Sequence, residues 1–328
     1  MSDTVLQVTD LSTRFSTNDG EVYAVDKVSF TVRRGEMVGL VGESGCGKTT
    51  TALSIIRLLP KAGRIAGGSI TVNGTDLVRL PENQMRRKRG SEVAMIFQDA
   101  LSALDPTMRV GEQLCEPLRA HLGMSRPQAM EEAVRLLGLV GIPSPRERLR
   151  DYSFQFSGGM RQRVMIAMAL SCNPSLLLAD EPTTALDVTI QRQILGLMKR
   201  LKHESNAGVI LVTHDVGVVA EVCDRVVVMY AGRIVESGPT ERVFRNPQHP
   251  YTIGLLSSSL DFTTDRTGIL NTIPGLPPDL VELPPGCFFW PRCKEANDRC
   301  KQASPQLLET EPQHRCACFR REEGMDAT

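Results

Sequence analysis

Residues 42–49 carry side chains and glycines whose types and spacing suit phosphate chemistry. They read Gly-Glu-Ser-Gly-Cys-Gly-Lys-Thr, which fits the phosphate-loop pattern G-x-x-x-x-G-K-[ST]. Glycines let backbone N–H groups curl around an anion, and the N-terminus of a following helix adds partial positive charge. In this arrangement Lys48 would reach the β- and γ-phosphates of a nucleotide, and the Thr49 hydroxyl would bind Mg²⁺.

The segments on either side of this loop must position it. The apolar run over 36–41 predicts a buried parallel strand, and residues 48–59 can continue as a helix. Apolar strand-like runs and helical stretches alternate up to about residue 245, which predicts an α/β core. Further strands are expected at Val93–Phe97, Leu176–Ala179, Val209–Thr213 and Arg225–Tyr230, with a smaller antiparallel sheet from Val5–Asp10 and Val28–Val32.

Residues 98–156 change to helical character and predict a separate helical lobe. Within it, Ser125 and Gln128 have the spacing of a capping box that opens a helix over 127–140. After about residue 245 the pattern breaks down, and five prolines over 271–285 predict a linker or an extended strap.

The composition bounds the class of protein. A length of 328 residues predicts about two domains. Lys plus Arg and Asp plus Glu both number 38, and this zero balance argues against a nucleic-acid partner. The sequence has no apolar run long enough to span a bilayer, and its start lacks the features of a secretory signal. We therefore expect a cytosolic protein whose nine cysteines are kept reduced.

A second pair of motifs completes a nucleotide site. Residues 176–181 read Leu-Leu-Leu-Ala-Asp-Glu, a buried strand that ends in two carboxylates. Asp180 could hold Mg²⁺, and Glu181 could polarise a water for attack on the γ-phosphate. Residues 157–159, Ser-Gly-Gly, stand at a predicted helix start and form a candidate second anion-binding nest.

In their order along the chain these motifs resemble the ATP-binding-cassette ATPases. The motifs that carry this resemblance, which covers about residues 5–245, are Gly42–Thr49, Gln98, Ser157–Gln162, Asp180–Glu181, Ala185-Leu186-Asp187 and His214. The resemblance implies a P-loop α/β core with a mixed sheet, a flanking antiparallel sheet and a helical subdomain over about 99–160. It places this nucleotide-binding domain at residues 1–250 and a small cysteine-rich extension at 251–328.

The resemblance also assigns roles. Glu181, His214 and Gln98 would be the catalytic residues, with Thr49, Gln98 and Asp180 around Mg²⁺. An early aromatic residue would stack on adenine; Phe15 aligns best, and Tyr23 is the alternative. The residues that would bind ATP within this chain are Phe15, Gly42, Glu43, Ser44, Gly45, Cys46, Gly47, Lys48, Thr49, Thr50, Gln98 and Asp180.

In this family two chains share each nucleotide. The signature residues Ser157, Gly158, Gly159 and Gln162 would contact the ATP held by the opposite subunit, and Asp187 would lie in the D-loop across the dimer interface. The resemblance therefore implies that two such chains, identical or not, sandwich ATP between them.

The sequence after residue 245 narrows the choice among the groups of cassette ATPases. The run Asn246-Pro-Gln-His-Pro-Tyr-Thr252 and the cysteine pattern that follows it resemble the dipeptide/oligopeptide/nickel group of importer ATPases, most closely the first of its two ATPase subunits. The resemblance implies transport of peptides, or else of nickel, glutathione or another small solute. It implies a second ATPase subunit, two permease subunits, an extracytoplasmic solute-binding protein and a position at the cytoplasmic face of the inner membrane. Ala100, where the group usually has proline, departs from the pattern. Two rival interpretations are a cassette ATPase that does not transport and a regulatory subunit.

Five cysteines crowd into residues 287–318. Cys287, Cys293, Cys300 and Cys318 suggest a metal centre, because a short, poorly apolar segment scarcely folds by burial alone. Structural zinc prefers closer cysteine pairs, whereas four cysteines can hold an iron–sulfur cluster, and reduced cysteines are the third alternative. Members of the resembling group with this pattern carry a 4Fe–4S cluster, which implies that cofactor here. Cys316 competes with Cys318 for the fourth position.

Overall fold

The computed structural model describes residues 3–183, 187–258 and 273–322. These residues divide into two compact units. The signature unit comprises Met1–Leu6, Val32–Glu36 and Val72–Ile210, and the loop unit comprises Gln7–Thr31, Met37–Thr71 and Leu211–Thr328.

Strands and helices alternate through most of the described chain. The strands are β1 Thr4–Thr17, β2 Gly20–Arg33, β3 Met37–Val41, β4 Gly63–Val72, β5 Thr75–Asp76, β6 Val93–Ile96, β7 Leu176–Asp180, β8 Gly208–Val212, β9 Arg225–Tyr230, β10 Arg233–Pro239, β11 Leu308–Glu311 and β12 His314–Cys316. The helices are α1 Lys48–Ile56, α2 Glu82–Lys88, α3 Ala100–Ala103, α4 Val110–Leu122, α5 Arg126–Leu139, α6 Pro145–Arg148, α7 Gly158–Leu170, α8 Val188–Ser205, α9 Val216–Val222, α10 Thr240–Arg245, α11 Pro250–Ser258, α12 Asp298–Gln302 and α13 Phe319–Glu322.

The loop unit is built on a mixed sheet with the order β11-β12-β10-β9-β3. Strand β3 runs parallel to β9, with Val38 opposite Arg225, while β10 runs antiparallel to both β9 and β12. All five residues of β3 are buried, which explains why its sequence is apolar without alternation. The same unit holds a second sheet in which β2, β1 and β4 lie side by side. Because only Asn18 and Asp19 join β1 to β2, these two neighbours must run antiparallel.

The signature unit combines a parallel strand pair with the predicted helical lobe. Strands β6 and β7 pair in parallel, with Val93 opposite Leu176. Helices α4 and α5 pack on each other and on α7. The backbone N–H of Ser125 donates to Oε1 of Gln128 at 2.9 Å, which confirms the capping box that starts α5.

The sequence-based strand predictions for the core are confirmed to within a residue or two, because each is a continuous apolar run. The early strands are longer than predicted, since β1 continues to Thr17 and β2 begins at Gly20, where buried residues such as Leu11 and Val25 are interleaved with polar ones and form no continuous apolar run. Strands β11 and β12 were missed because they are only four and three residues long and contain few apolar residues. The division at residue 250 stays a prediction, although β12 pairs directly with β10 of the loop unit, with Glu236 opposite Cys316. Within the described ranges no helix is both long and apolar enough to cross a membrane.

Candidate nucleotide site

The phosphate loop lies between β3 and α1, as the sequence predicts, and its backbone requires glycine. Gly42 has φ 151° and Gly47 has φ 103°, a region that side chains rarely adopt. A Cβ on Gly42 would lie 2.2 Å from the carbonyl oxygen of Met229, and one on Gly47 would lie 2.3 Å from that of Ala24. Both the backbone twist and the close approach of neighbouring carbonyls therefore exclude any larger residue.

Lys48, the first residue of α1, turns its ammonium back into the loop. Its Nζ donates to the carbonyl oxygens of Gly42 at 2.8 Å and Glu43 at 2.9 Å, and only 6% of the residue is exposed. The neighbouring Cys46 is buried, and this burial raises the pKa of its thiol. The other predicted ATP-binding residues of this loop are exposed or half-buried: Glu43, Ser44, Gly45, Thr49 and Thr50.

The two candidates for stacking on adenine differ in their surroundings. A Cβ on Gly63 would lie 2.6 Å from the ring of Phe15, so that ring packs against the β4 backbone. Tyr23 is the residue before Ala24, whose carbonyl borders Gly47 of the phosphate loop. The guanidinium of Arg14 lies 4.5 Å from the Tyr23 ring centroid, which covers one face of that ring. Each ring therefore already contacts a neighbouring residue, and Phe15, with Tyr23 as the alternative, stays a prediction.

The signature unit brings two of the predicted catalytic residues into contact. Nε2 of Gln98 donates to Oε2 of Glu181 at 3.0 Å. Glu181 follows directly on β7 and has φ 44°, a left-handed conformation that is unusual for a residue with a side chain. Asp180, the last residue of β7, is only 3% exposed. Such strained positions cluster at functional sites.

The signature residues Ser157, Gly158 and Gly159 lie at the start of a helix, as the sequence predicts. Ser157 caps α7, its Oγ accepting from the backbone N–H of Met160 at 3.3 Å, and Gly158 and Gly159 are already helical. Ser157 and Gly158 are exposed, whereas Gln162 is buried and its Nε2 has no hydrogen-bond partner among the described residues. Because its side chain points into the protein, Gln162 does not share the exposed face on which a contact with another subunit would form.

The remaining predicted residues lie at the ends of elements. Asp187 caps α8, its Oδ1 accepting from the backbone N–H of Ile190 at 2.9 Å. His214 is exposed just after β8 in the loop unit. Ala185 and Leu186, which the resemblance included beside Asp187, lie outside the described residues, as does the side chain of Ala100.

Sequence reasoning missed two residues of the C-terminal segment, defined here as residues 246–258 and 273–322. The Tyr251 hydroxyl accepts from the backbone N–H of Glu43 at 2.7 Å. The Arg292 guanidinium binds both carboxylate oxygens of Glu43, at 2.7 and 2.9 Å. The Asn-Pro-Gln-His-Pro-Tyr-Thr run marked Tyr251 as notable, but the sequence gives no signal that it reaches the phosphate loop.

A buried polar pair holds the same segment to the sheet. Glu236 of β10 accepts from Nε2 of His314 at 2.7 Å, assigned as a donor here, and from the backbone N–H groups of Gln248 and His249 at 2.8 and 2.9 Å. Burial alone would raise the pKa of Glu236, but these hydrogen bonds outweigh it and lower the pKa. Burial lowers the pKa of His249 to about 4, so its imidazole is neutral near neutral pH.

The predicted metal centre at the cysteines is not borne out. Cys287, Cys293, Cys300 and Cys318 do line one cavity, but its volume of about 20 Å³ admits roughly one water molecule. Nowhere in residues 3–183, 187–258 and 273–322 are three or more His, Cys, Asp or Glu side chains arranged to hold a metal ion. Burial raises the pKa of the Cys293 thiol to about 11, which favours the neutral thiol. The prediction of a 4Fe–4S cluster is therefore wrong, as is the zinc alternative, and reduced cysteines remain.

A glycine loop that requires left-handed backbone, a buried lysine within it and a strand ending in Asp-Glu define a phosphate-loop nucleoside triphosphatase. Comparison with known proteins narrows this class. A family profile described as "ABC transporter" matches residues 25–184, and one described as "Oligopeptide/dipeptide transporter, C-terminal region" matches residues 235–300. The solved dimeric, post-hydrolysis structure of the ATP-binding cassette MJ0796 with ADP and Pi aligns with a TM-score of 0.65 and 26% identity, over 72% of this chain and 98% of that chain.

Curated relatives match almost the entire chain. The oligopeptide transport ATP-binding protein OppD of Salmonella typhimurium is 51% identical over 97% of this chain and 94% of its own length. A putative peptide import ATP-binding protein of Brucella melitensis, BMEII0863, is 53% identical over 97% of this chain and 98% of its own. The chain belongs to the ABC transporter family, as one of its ATP-hydrolysing subunits.

Proposed function

We propose that this chain is the ATP-hydrolysing subunit of an importer of di- or oligopeptides. The contact between Gln98 and Glu181 carries the proposal, because it joins the residue that begins the helical lobe to the residue that would activate water. Through this contact, loss or gain of the γ-phosphate near Glu181 would be transmitted to the helical lobe. The peptide substrate is inferred from the names of the relatives and from the family that matches residues 235–300.

Within the chain, the roles follow from chemistry. Lys48 would exchange its carbonyl acceptors for phosphate oxygens, Glu181 would orient and deprotonate the attacking water, and exposed His214 would contact the γ-phosphate. Oxygens of Thr49, Gln98 and Asp180 are the hard ligands that Mg²⁺ prefers, and Mg²⁺ would neutralise phosphate charge there.

Across two chains, Ser157, Gly158 and Gly159 would bind the γ-phosphate held by the opposite subunit, with Asp187 alongside. We leave Gln162 out of this contact because it is buried. Phe15, or else Tyr23, would stack on the adenine. The helical lobe would receive two permease subunits at the cytoplasmic face of the membrane, and a solute-binding protein would deliver the peptide.

Two substitutions test the proposed site. Lys48→Ala should weaken ATP binding about 100-fold, since a charge-assisted contact to phosphate is lost. Lys61→Ala, which removes an exposed lysine of the same unit, is the matched control and should bind normally. Glu181→Gln should keep ATP binding but slow hydrolysis by about 100-fold or more. Normal turnover by the Gln variant would exclude Glu181 as the base.

A purification test addresses the partners. The tagged chain, extracted from membranes in mild detergent, should bring down two multi-span permeases and a second cassette subunit. Recovery of ribosomes or DNA in their place would exclude the importer. Neutral overall charge already disfavours a nucleic-acid partner.

A further inference from the structure

The C-terminal segment contacts the phosphate loop at one residue, Glu43. Glu43 lies directly after Gly42 within the loop, and three of its groups are held. Its backbone N–H donates to the Tyr251 hydroxyl at 2.7 Å, its carboxylate takes both arms of Arg292, and its carbonyl accepts from Lys48 at 2.9 Å. The lysine expected to bind phosphate therefore rests on a residue that the C-terminal segment positions.

The groups that hold Glu43 are themselves fixed. The Arg292 side chain is only 4% exposed, and its Nε donates to the carbonyl oxygen of Pro274 at 2.9 Å. Its guanidinium also lies within about 6 Å of the Tyr230 and Phe289 ring centroids. Tyr251 is fully buried and packs on the same two rings, at centroid distances of 4.7 and 5.5 Å. A rigid aromatic cluster therefore presents both groups to the loop.

The charge of Glu43 gives this contact a consequence for binding. An unpaired carboxylate in a phosphate loop would repel the negative charge of a triphosphate. Arg292 neutralises that carboxylate through two parallel N–H···O bonds, the strongest geometry for such a pair. The bond to Glu43 also raises the pKa of Arg292, so the guanidinium stays charged.

We propose that Arg292 and Tyr251 are positioning residues through which the C-terminal segment orders the phosphate loop and cancels the charge of Glu43. This inference rests on the proposed function, because it presumes that the loop binds ATP. It assigns the C-terminal segment a part in nucleotide affinity.

The test uses the full chain, measuring equilibrium ATP binding, and the assembled transporter, measuring KM and kcat. Arg292→Gln should raise Kd and KM about tenfold, equivalent to ~1.4 kcal/mol, with kcat nearly unchanged, because loop order matters equally before and during reaction. Arg292→Lys should recover part of the affinity, since an ammonium pairs with the carboxylate less specifically. Tyr251→Phe keeps the packed ring and should raise Kd by a smaller factor.

Two further variants separate positioning from general stability. Arg299→Gln is the matched control, because Arg299 also lies in the C-terminal segment, pairs with Glu322 at 3.0 Å and covers the ring of Phe319. It should leave KM unchanged. The double variant Glu43→Gln with Arg292→Gln should regain the part of the affinity that the uncancelled charge cost, whereas the part due to loop order stays lost.

The results of these experiments separate failure of the inference from failure of the proposed function. Wild-type KM in Arg292→Gln, or no recovery in the double variant, overturns the inference while leaving the proposed function intact if Lys48→Ala still loses ATP binding. Normal ATP binding by Lys48→Ala would instead contradict the proposed function. If Arg292→Gln does not fold, Tyr251→Phe decides: an unchanged Kd in that variant overturns the inference.

Discussion

The phosphate loop and the signature segment are both glycine-containing starts of helices, yet they are built differently. Gly42 and Gly47 of the loop have left-handed backbone and approach neighbouring carbonyls closely. Gly158 and Gly159 are helical, and a Cβ on Gly158 would meet nothing within 4 Å. The loop can therefore wrap a phosphate chain by itself, whereas the signature segment offers an open helix end that something else must approach.

The supports of the two segments differ as well. The loop is held by Lys48 within it and by Tyr251 and Arg292 from far along the chain. The signature segment is held locally, by the cap of Ser157 and by packing of Gly159 near Ile190. The phosphate loop would wrap its ligand alone and is therefore fixed by buried side chains. The signature segment would meet its ligand only from a partner subunit and needs no more than a well-defined helix start. The following predictions test this contrast.

The largest effect is expected at Gly47. Gly47→Ala should abolish ATP binding and lower the free energy of unfolding by more than about 3 kcal/mol, because φ 103° is strained for alanine and its Cβ would lie 2.3 Å from the Ala24 carbonyl. Gly45→Ala is the control: φ is 78° but the space is open, so strain of about 1 kcal/mol is expected alone. Denaturant titration and ATP binding measure both. Equal costs at the two positions would contradict the close-approach argument.

Acid should weaken the supports of the loop unit. His249 is buried with its pKa lowered to about 4, from 6.5 when unfolded. Between these values the unfolded chain binds more protons, so stability present above pH 6.5 is lost as pH falls toward 4, by about 3 kcal/mol in all. Unfolding titrations across this range measure the slope. In His249→Asn, which keeps an acceptor for the Tyr251 N–H, the slope should flatten; an unchanged slope would assign it to another group.

A smaller loss is expected at Gly159. A Cβ there would lie 3.0 Å from Cγ2 of Ile190, so Gly159→Ala forces the start of α7 away from α8. Crowding should outweigh the better helix propensity of alanine and leave a net loss of about 1 kcal/mol in unfolding free energy. Ile190→Ala removes Cγ2, so the cost of Gly159→Ala should be smaller when it is measured in the Ile190→Ala background. An unchanged cost would mean that another contact sets it.

The smallest effect on stability, and one of opposite sign, is expected at Gly158. Gly158→Ala should raise the free energy of unfolding by less than about 1 kcal/mol, because alanine favours the helix and its Cβ meets nothing within 4 Å, but Gly158 is only the first residue of α7. ATP binding by the separate chain should not change. Hydrolysis in the assembled transporter should fall at least about tenfold, since the methyl group obstructs the helix end offered to the partner's γ-phosphate. Unaltered hydrolysis would remove this segment from the site.

The glycine pattern predicted its site correctly, whereas the cysteine pattern did not. The phosphate loop, the Asp-Glu strand end and the capping box of α5 were predictable, because each is fixed by residues adjacent in sequence. The four cysteines were expected to hold a cluster or a metal ion, but they line a cavity of only about 20 Å³, and the described residues contain no group of side chains arranged to hold a metal ion. Spacing in sequence cannot report that volume, which depends on how Phe289, Trp290 and Phe319 pack around it.

By itself, the sequence determined where along the chain the core strands and the phosphate loop lie, and which residues are available for hydrolysis. Their signals are local: apolar runs, glycines at fixed offsets and polar residues at strand ends. Only the tertiary structure decided that Gln162 is buried, that the Ala24 carbonyl borders the loop and that Arg292 reaches Glu43 across 249 positions. Such pairings arise because burial brings distant side chains together, and no period or spacing along the chain encodes which partner a buried charge will find.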